Sequence, residues 1–523
     1  MGAVAAAGRT SAFAEVGQDL KATVGLVTTA RACTAGVIVL SLVLVGSCGR
    51  VEHAQQPETG APQVAAPAAP ITPPVVPAGD FTPVTQLIDA AIAEPRMPGA
   101  VVQIGHAGNV VFRGAFGLRK LPGEPGLDGS PTPSEPMTED TIFDLASLTK
   151  SLATATAVLQ LAEQGEVAID APLETYLPEF NPANDPRRAQ VTLRMLLTHT
   201  SGLAGDLSLD GPWGLQQADK AEGIRRALNA RLDFDPGQLF HYSDIGFILL
   251  GAMIEKITGE PEDVYARGNI FEPLDMTDTR YLPAATACGP YRVSGTALAF
   301  DPRAAHAVDC PADTWSTDVL ARVAPTARDE DTPGINPNIG RPLRGTVHDP
   351  TARRMGGVAG SAGVFSTVRD LGLFAQALLD RLAGRPSEFP LTQASVELMT
   401  TPQQPGHHSG QLDAANTAVR ESIRTANTDP LLAVNYPAIP GQDLRGFGWD
   451  IDTALSRPRG LIFPVGSFGQ GGFTGVTLWI DPESDSYVIV LANVIHQRGG
   501  PPVVALSGDI ATTAARVLHL YGS

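Results

Sequence analysis

The sequence predicts an α+β fold of the α/β sandwich type, in which an antiparallel sheet built from both ends of the chain is flanked by helices. Three observations predict it. Alternating apolar residues, typical of strands, occur early, around residues 99–117, and again late, around residues 475–494. Between them, from Val191 to Gly268, apolar residues recur mostly at helical spacing. Strands at both ends with helices between them indicate one sheet plus an inserted all-helical region.

The first 47 residues are interpreted as a signal peptide. Residues 32–47, "ACTAGVIVLSLVLVGS", form an apolar run behind Lys21 and Arg31. A membrane-spanning helix needs about 20 such residues, so this run is short for an anchor. It ends "LVGSC", with small residues before Cys48, and this resembles a bacterial lipobox whose cysteine is lipidated after cleavage. Ordinary secretion and an uncleaved anchor remain open alternatives.

Residues 48–80 are predicted to form a linker, because they are rich in Pro and Ala and lack helical periodicity. The folded domain is therefore expected over residues 81–523. Together these features predict an exported lipoprotein of the cell envelope, held by its lipid on the outer face of the cytoplasmic membrane.

The folded domain is expected to begin with a helix and a hairpin. "FTPVTQLIDAAIAEP" has apolar residues at helical spacing and a proline stop. "GAVVQIGHAGNVVFRGAFG" alternates on both sides of the turn "HAGN", which is typical of two paired strands. A further helix is predicted after Ser147, with no charge from Ser151 to Ala162 and a stop at Gly165. Such an apolar surface predicts a helix buried on most sides.

Strands return at "GFGWDI" and "GVTLWIDPESDSYVIVLANV", and an apolar helix is expected near Val504 to Leu520. The regions near 284–350 and 385–445 are Pro-rich or polar. We interpret both as long irregular surface insertions that shape a substrate cleft.

Charge and cysteine content limit the possible partners. The net charge of -18 argues against nucleic acid, because any basic patch would stand against a negative background. Cys288 and Cys310 are expected to form a disulfide, which would add about 3 kcal/mol in the chain-entropy model; two free buried thiols are the alternative. Neither has a second cysteine or a histidine at ligand spacing, so no metal site is predicted.

The chemistry is expected at Ser147 and Lys150. The chain has 37 lysines and arginines but only five lysines, so a lysine three residues after a serine at a helix start is notable. Residues three apart share one helix face, and apolar surroundings disfavour the charged form of a lysine. A serine becomes a good nucleophile when a neighbouring base takes its proton. The free amides of the first helical turn can stabilise an oxyanion.

Several segments resemble the serine β-lactamase-like superfamily, which includes class C β-lactamases, D-alanyl-D-alanine carboxypeptidases and family VIII esterases. They are "SLTK" at 147–150, "LLTHTSGL" at 196–203, "YSD" at 242–244, "GTVHDPTARRMGGVAGSAGVFST" at 345–367 and "GQGGFTG" at 469–475. The resemblance spans roughly residues 81–523. It implies a β-lactamase/transpeptidase-like fold and a serine hydrolase that needs no metal or organic cofactor.

The resemblance also implies roles for individual residues. Ser147 would be the acylated nucleophile and Lys150 its proton partner. Tyr242 would share the role of base and pass a proton to the leaving group. The backbone amides of Ser147 and Phe473 would form the oxyanion hole, with Gly472 and Gln470 beside them in the third motif.

Two positions depart from the family pattern. Asp244 stands where many members have Asn, and an ionised carboxylate could hold Lys150 charged and weaken it as a base. Gln470-Gly471-Gly472 replaces the Lys-Thr-Gly of β-lactamases and peptidases, and so lacks the cation and hydroxyl that help bind a free carboxylate. Arg353 or Arg354 could supply that charge instead.

We therefore expect an esterase or an amidase of the D-alanyl-D-alanine peptidase kind, acting on a small-molecule ester or a cell-wall peptide. The alternative is a non-catalytic, penicillin-binding-like envelope protein that binds wall peptide or a protein partner. "AGSAG" around Ser361 is close to the nucleophile elbow of α/β-hydrolases, but it lacks the strand before and the helix after that such an elbow needs.

Overall fold

The computed structural model describes residues 79–301, 303, 314–425, 435–496 and 503–523. The predicted signal peptide, the lipid site Cys48, the linker up to residue 78 and Cys310 lie outside these residues and stay predictions. Cys288 is disulfide-bonded. Among the described helices, none combines the length and the apolar character needed to cross a membrane.

The described strands, in chain order, are β1 (Gly99–His106), β2 (Asn109–Lys120), β3 (Glu135–Pro136), β4 (Phe143–Asp144), β5 (Arg280–Tyr281), β6 (Tyr291–Ser294), β7 (Ala297–Phe300), β8 (Ala327–Arg328), β9 (Pro342–Leu343), β10 (Val364–Ser366), β11 (Leu444–Arg445), β12 (Asp450–Asp452), β13 (Phe468–Gly472), β14 (Val476–Asp481) and β15 (Ser486–Ala492).

The described α-helices are α1 (Thr82–Ala93), α2 (Thr156–Glu163), α3 (Leu193–Leu197), α4 (Lys220–Leu228), α5 (Asp244–Thr258), α6 (Glu262–Ala266), α7 (Thr317–Arg322), α8 (Pro350–Arg354), α9 (Val368–Leu382), α10 (Gln393–Thr400), α11 (Gln411–Thr425) and α12 (Val504–Val517). Two segments adopt π-helical geometry, Lys150–Ala155 and Arg267–Phe271.

The main sheet confirms that the two ends of the domain pair. Within the described residues its order is β11-β12-β13-β14-β15-β1-β2-β3, so the early hairpin β1-β2 joins the late strands where β1 meets β15. That pairing is antiparallel, with Ala100 opposite Ala492 and Ile104 opposite Val488. The hairpin turn falls at Ala107 and Gly108, inside the predicted "HAGN".

Helices cover both faces of this sheet. Because neighbouring strand residues point to opposite faces, Val102 of β1 packs with Ile88 of α1 and Ile510 of α12 on one face. Val101, the residue before it, packs in the larger core that contains Phe374 of α9. The continuous apolar runs of β1, β14 and β15 are therefore explained by burial on both faces.

The two regions predicted to be irregular contain more regular structure than their composition indicated. The region near 284–350 contains the hairpin β6-β7, helix α7 and the pair β8-β9. The region near 385–445 contains α10 and α11. Helix α10 buries Val396 and Met399 beneath polar neighbours, so its apolar face is narrow and the sequence signal is weak.

A small second sheet, β4-β10-β5, positions the candidate site. Strand β4 ends at Asp144, immediately before the predicted nucleophile turn, and pairs with Phe365 of β10 through that residue. The amide of Leu145 donates to the carbonyl oxygen of Val364 at 2.9 Å, and the amide of Val364 donates to Thr149 Oγ1 at 3.1 Å. The start of the nucleophile helix is thereby attached to β10 on both sides.

Candidate active site

Ser147 lies in a tight turn between β4 and the helix that follows. Ala146 has φ of 45°, a left-handed conformation that costs a non-glycine residue about 1–2 kcal/mol. Asp144 offsets this cost, because one carboxylate oxygen accepts the Ala146 amide at 2.9 Å and the other accepts the His348 amide at 2.7 Å. The turn leaves Ser147 partly exposed between buried neighbours.

The residues after Ser147 form a π-helical turn, Lys150–Ala155, that continues into α2. All six are buried, which confirms the prediction of a buried helix. Such turns are rare and are found often at functional sites. The predicted contact between Ser147 and Lys150 forms nevertheless, since the two residues lie within the same first turn.

The Lys150 ammonium is surrounded by acceptors. Its Nζ donates to Ser147 Oγ at 2.9 Å and to the carbonyl oxygen of Ser361 at 2.9 Å, and it lies 2.6 Å from Asp244 Oδ1. Two of the three N–H groups of the ammonium are thus directed at the Ser147 and Ser361 oxygens, and the Asp244 carboxylate lies within ion-pair distance. Lys150 therefore stands beside the candidate nucleophile as a charged donor.

This arrangement corrects the expectation that apolar surroundings make Lys150 a neutral base. Burial does lower the pKa of Lys150, but the Asp244 carboxylate and Tyr242 outweigh it, and the net effect raises the pKa above its ordinary value. The departure from Asn to Asp at position 244 is thus the reason that Lys150 stays charged.

Tyr242 lies next to the Lys150 ammonium. The Tyr242 ring centroid is 5.1 Å from Lys150 Nζ, and the Tyr242 hydroxyl accepts a hydrogen bond from Gln470 Nε2 at 3.3 Å. Gln470, in β13, therefore contacts Tyr242 directly rather than only lining the site. The structure brings together Ser147, Lys150, Tyr242, Asp244 and Gln470, as the sequence motifs implied.

His199 supports Tyr242, a role that the sequence argument missed. Its ring stacks on the Tyr242 ring with centroids 4.1 Å apart, and its Nδ1 accepts the Ser243 amide at 3.1 Å. Burial and then the nearby Arg445 and Lys150 lower the pKa of His199 well below its ordinary value, so the ring is neutral. Its place in the quoted segment "LLTHTSGL" was the one available signal.

Further carboxyl groups lie around the Lys150–Asp244 pair. Burial and then the Asp244 charge raise the pKa of Asp349 to about 6, and the same two causes raise the pKa of Asp206. Asp349 also caps α8, accepting the Ala352 amide at 2.7 Å. Three carboxyl groups, those of Asp206, Asp244 and Asp349, therefore surround the buried Lys150 ammonium.

The expected oxyanion donors lie next to the nucleophile turn. A Cβ built on Gly472 would be 2.5 Å from the Leu145 carbonyl oxygen, so β13 approaches this turn as closely as only glycine allows. Thr474 Oγ1 donates to the carbonyl oxygen of Asp144 at 2.7 Å. Within the described part of the chain, the Ser147 and Phe473 amides have no backbone or side-chain acceptor. Both are available to a ligand.

A cavity of about 770 Å³ opens beside Phe473 and is called here the Phe473 cavity. Its apolar walls include Leu209, Leu343, Phe473 and Val494. Phe473 is 73% exposed, and its ring stacks on His348 with centroids 5.8 Å apart. Burial and then Arg353 lower the pKa of His348 to about 4, so this ring is neutral at neutral pH.

Two buried arginines at the wall of the Phe473 cavity or directly behind it are paired with aspartates, and Arg328 and Glu330 also line the cavity. Arg353 lies 2.9 Å from Asp329, and Arg354 lies 2.7 Å from Asp331. All four side chains are buried, so neither arginine presents an unpaired charge. These ion pairs argue against the expectation that Arg353 or Arg354 replaces the missing cation of the third motif.

Ser361 is a structural residue. It lies in the turn between Ala359 and Ala362, is followed by β10, and is buried, and its hydroxyl has no hydrogen-bond partner in the part of the chain that the structure describes. No helix follows it directly, which excludes the α/β-hydrolase elbow. Its carbonyl oxygen is nevertheless part of the site, because Lys150 donates to it.

Comparison with known proteins agrees with this geometry. The chain is 27% identical over 405 residues to a putative D-alanyl-D-alanine carboxypeptidase of Escherichia coli (strain K12), covering 75% of this chain and 77% of the relative. It is 38% identical over 210 residues to esterase EstB of Burkholderia gladioli, covering 38% of this chain and 50% of that protein.

The fold is similar to that of simvastatin synthase (LovD) from Aspergillus terreus, with a TM-score of 0.54 at 23% identity, over 84% of this chain and 98% of that one. The family model described as Beta-lactamase matches residues 84–500, which contain every catalytic candidate described above. The chain therefore belongs to the Beta-lactamase family of serine hydrolase-like proteins.

Proposed function

We propose that this protein is an exported serine hydrolase that forms an acyl-enzyme on Ser147 from a neutral ester or amide and releases it with water. The observation that carries the proposal is the contact of 2.9 Å between Lys150 Nζ and Ser147 Oγ, made by an ammonium that Asp244 holds charged. A charged donor at this distance stabilises the serine alkoxide as it forms.

In this proposal Tyr242 is the base. Asp244 holds Lys150 in its protonated form, and an ammonium nitrogen has no lone pair with which to accept a proton. Tyr242, as phenolate beside the ammonium, takes the Ser147 proton while Oγ attacks the carbonyl carbon. The resulting oxyanion accepts hydrogen bonds from the Ser147 and Phe473 amides. Tyr242 then returns the proton to the leaving alcohol or amine as the C–O or C–N bond breaks.

Deacylation repeats these steps with water. Tyr242 removes a proton from the water molecule, whose oxygen attacks the acyl carbon, and the proton returns to Ser147 Oγ when the ester bond breaks. Each half-reaction begins and ends with the same protonation state, and no cofactor is required.

Charge pairing around the site favours a neutral substrate. Gln470 replaces the third-motif lysine, and the wall arginines Arg353 and Arg354 are each neutralised by an aspartate. A free carboxylate near Asp244 and Asp349 would be repelled rather than bound. The Phe473 cavity has an apolar side, formed by Leu209, Leu343, Phe473 and Val494, beside charged wall residues that include Arg328 and Glu330, and its volume suits an acyl group of several carbons or an aryl acyl group on that apolar side.

The non-catalytic binding function has less support. Its motivation was the altered third motif, yet the nucleophile, the ammonium and Tyr242 keep a geometry suited to catalysis. The carboxypeptidase and esterase relatives are named as enzymes. For these reasons we propose hydrolysis, and favour an ester or a neutral amide over a β-lactam.

Labelling of the full chain tests the nucleophile. A fluorophosphonate probe should label the wild-type protein and Ser361→Ala, but not Ser147→Ala, since Ser361 is a nearby serine whose hydroxyl has no catalytic role. A fluorescent penicillin, which carries a free carboxylate, should label poorly. Equal labelling of Ser147→Ala and wild type would contradict the proposal, and strong penicillin labelling would contradict the preference for neutral substrates.

Hydrolysis of p-nitrophenyl esters tests the cavity. The specificity constant should rise from acetyl towards octanoyl, because added methylenes transfer from water to apolar walls. Leu209→Trp narrows the cavity and should move the preference back towards acetyl. If Leu209→Trp leaves the chain-length profile unchanged, the acyl group binds elsewhere.

We also propose that Cys48 carries the lipid that holds the protein at the cell envelope. Metabolic labelling with an alkyne fatty acid should mark the wild type and not Cys48→Ala, and Cys48→Ala should leave the membrane fraction. Equal labelling of the two would contradict this anchor.

A further inference from the structure

A buried carboxyl group lies behind the catalytic lysine, and the mechanism above does not use it. Glu262, the first residue of α6, is 1% exposed, although glutamate is rarely buried without a cationic partner. The nearby Lys220 is engaged with Glu255 instead. Glu262 therefore requires its own explanation.

The hydrogen bonds of Thr154 give that explanation. Thr154 Oγ1 lies 2.7 Å from the carbonyl oxygen of Gly360 and 2.7 Å from Glu262 Oε1. A hydroxyl group has one proton and cannot donate to both oxygens. The two short contacts are both satisfied when Thr154 donates its hydrogen bond to the Gly360 carbonyl oxygen and accepts a hydrogen bond from the Glu262 carboxyl group. That direction requires a protonated carboxyl group.

The second oxygen of Glu262 supports the same assignment. Glu262 Oε2 is buried and has no hydrogen-bond partner among the described residues. It fills a narrow gap between two backbones, since a Cβ on Gly251 would be 2.5 Å from Oε2 and 2.9 Å from the Gly360 amide nitrogen. A carboxylate would place unsolvated negative charge in this gap, whereas a neutral carboxyl group avoids that cost.

The chain of contacts ends at Lys150. Gly360 and Ser361 occupy the same tight turn, and the Ser361 carbonyl oxygen accepts from Lys150 Nζ at 2.9 Å. Thr154 lies one helical turn after Lys150, so it holds the Gly360 carbonyl oxygen to the helix that carries the lysine. The two carbonyl groups are thereby fixed relative to the ammonium.

We infer that Glu262 is a positioning residue that keeps its proton and donates a hydrogen bond to Thr154, which fixes the Gly360–Ser361 turn and the carbonyl acceptor of Lys150. This inference rests on the proposed function for its effect on catalysis, while the proton on Glu262 is independent of that function. When Glu262 ionises, Thr154 turns towards the carboxylate, the Gly360 carbonyl loses its donor, and Lys150 is held less firmly.

The surroundings of Glu262 place this ionisation near neutral pH. Burial raises the pKa of Glu262 to about 7 from its ordinary value of 4.5, although its contact with Thr154 and the charge of Lys220 act in the opposite direction. The other groups that face it are Glu255 and Asp263, which raise the pKa of Glu262, and Tyr281, whose own raised pKa keeps it neutral.

Thermal unfolding of the full chain tests the proton. A carboxyl group whose folded pKa exceeds its unfolded pKa binds more protons in the folded state, so its contribution to stability falls as pH rises between 4.5 and about 7. Over this pH interval the Tm of the wild type should fall relative to the Tm of Glu262→Gln. Above about pH 7 the difference between the two Tm values should stay constant. Glu388→Gln, at an exposed glutamate, should track wild type throughout. A constant difference between wild type and Glu262→Gln would overturn the inference.

Labelling rates test the positioning role. Thr154→Val should slow fluorophosphonate labelling about fivefold, the equivalent of one neutral hydrogen bond, and Thr154→Ser should restore it. The labelling rate of the wild type should decrease as the pH rises through about 7, and the labelling rate of Glu262→Gln should not. If Thr154→Val is labelled at the wild-type rate, the positioning role is overturned. The same holds if wild type and Glu262→Gln show the same decrease in labelling rate near pH 7. If Ser147→Ala labels like wild type, the proposed function fails, while the unfolding experiment still decides the proton on Glu262.

Discussion

Lys150 Nζ and Asp244 Oδ1 lie 2.6 Å apart, with the lysine wholly buried and the aspartate side chain 21% exposed. A buried ammonium requires a partner, and the same contact also decides the chemistry of the site. Because the carboxylate holds Lys150 charged, the proton of Ser147 has to pass to another group. We propose Tyr242 as that group, since its ring centroid lies 5.1 Å from Lys150 Nζ.

Asp244→Asn should lower the pKa of Lys150, since burial then acts without the opposing carboxylate. In the pH profile of the fluorophosphonate labelling rate, the bend should occur at a pH at least about one unit lower for Asp244→Asn than for wild type. Asp244→Glu keeps the charge and serves as the control. Superimposable pH profiles for wild type and Asp244→Asn would show that the ion pair does not set the state of Lys150.

Gly472→Ala should separate β13 from the nucleophile turn, because the added Cβ would lie 2.5 Å from the Leu145 carbonyl oxygen. We expect a loss of about 1–3 kcal/mol in the free energy of unfolding and about a hundredfold loss of labelling rate. Gly471→Ala is a matched control, since its Cβ would have no neighbour closer than 3.9 Å. Similar activity in the two variants would argue against an oxyanion hole at this strand.

Asp144 should make stability depend on pH in the acid range. Burial raises the pKa of Asp144 to about 6 from 3.8, against the hydrogen bonds from the His348 and Ala146 amides. The folded state therefore keeps a proton that the unfolded state releases, and stability falls as pH rises from 3.8 to about 6. Over that interval the Tm of wild type should decrease relative to that of Asp144→Asn. A difference that is independent of pH would contradict this assignment.

Peptide mapping of the full chain tests the expected pairing of Cys288. A digest without reductant should contain a linked peptide with Cys288 and Cys310, which reductant separates. Cys288→Ser should lower Tm, because the disulfide is expected to contribute about 3 kcal/mol by restricting the unfolded chain. A linked peptide that joins Cys288 to another cysteine would correct the pairing.

Most of the fold was predictable because its signals are local. The apolar alternation in β1, β14 and β15 and the helical spacing in α1 and α5 follow from short stretches of sequence. The helices α10 and α11 were missed, because their segments are polar and contact the core along narrow faces. Their formation depends on what lies beneath them rather than on their own composition.

The sequence by itself determined the contact between Ser147 and Lys150, since a spacing of three residues on one helical turn brings the two side chains together in any fold that forms that turn. It also identified Asp244 and Gln470 as departures from the family pattern. Only the tertiary structure decided that Lys150 is paired with Asp244 and stays charged, that Arg353 and Arg354 are each paired with an aspartate, and that Glu262 is buried next to Thr154. Protonation and charge pairing depend on burial and on neighbours distant in the chain, which no local pattern contains.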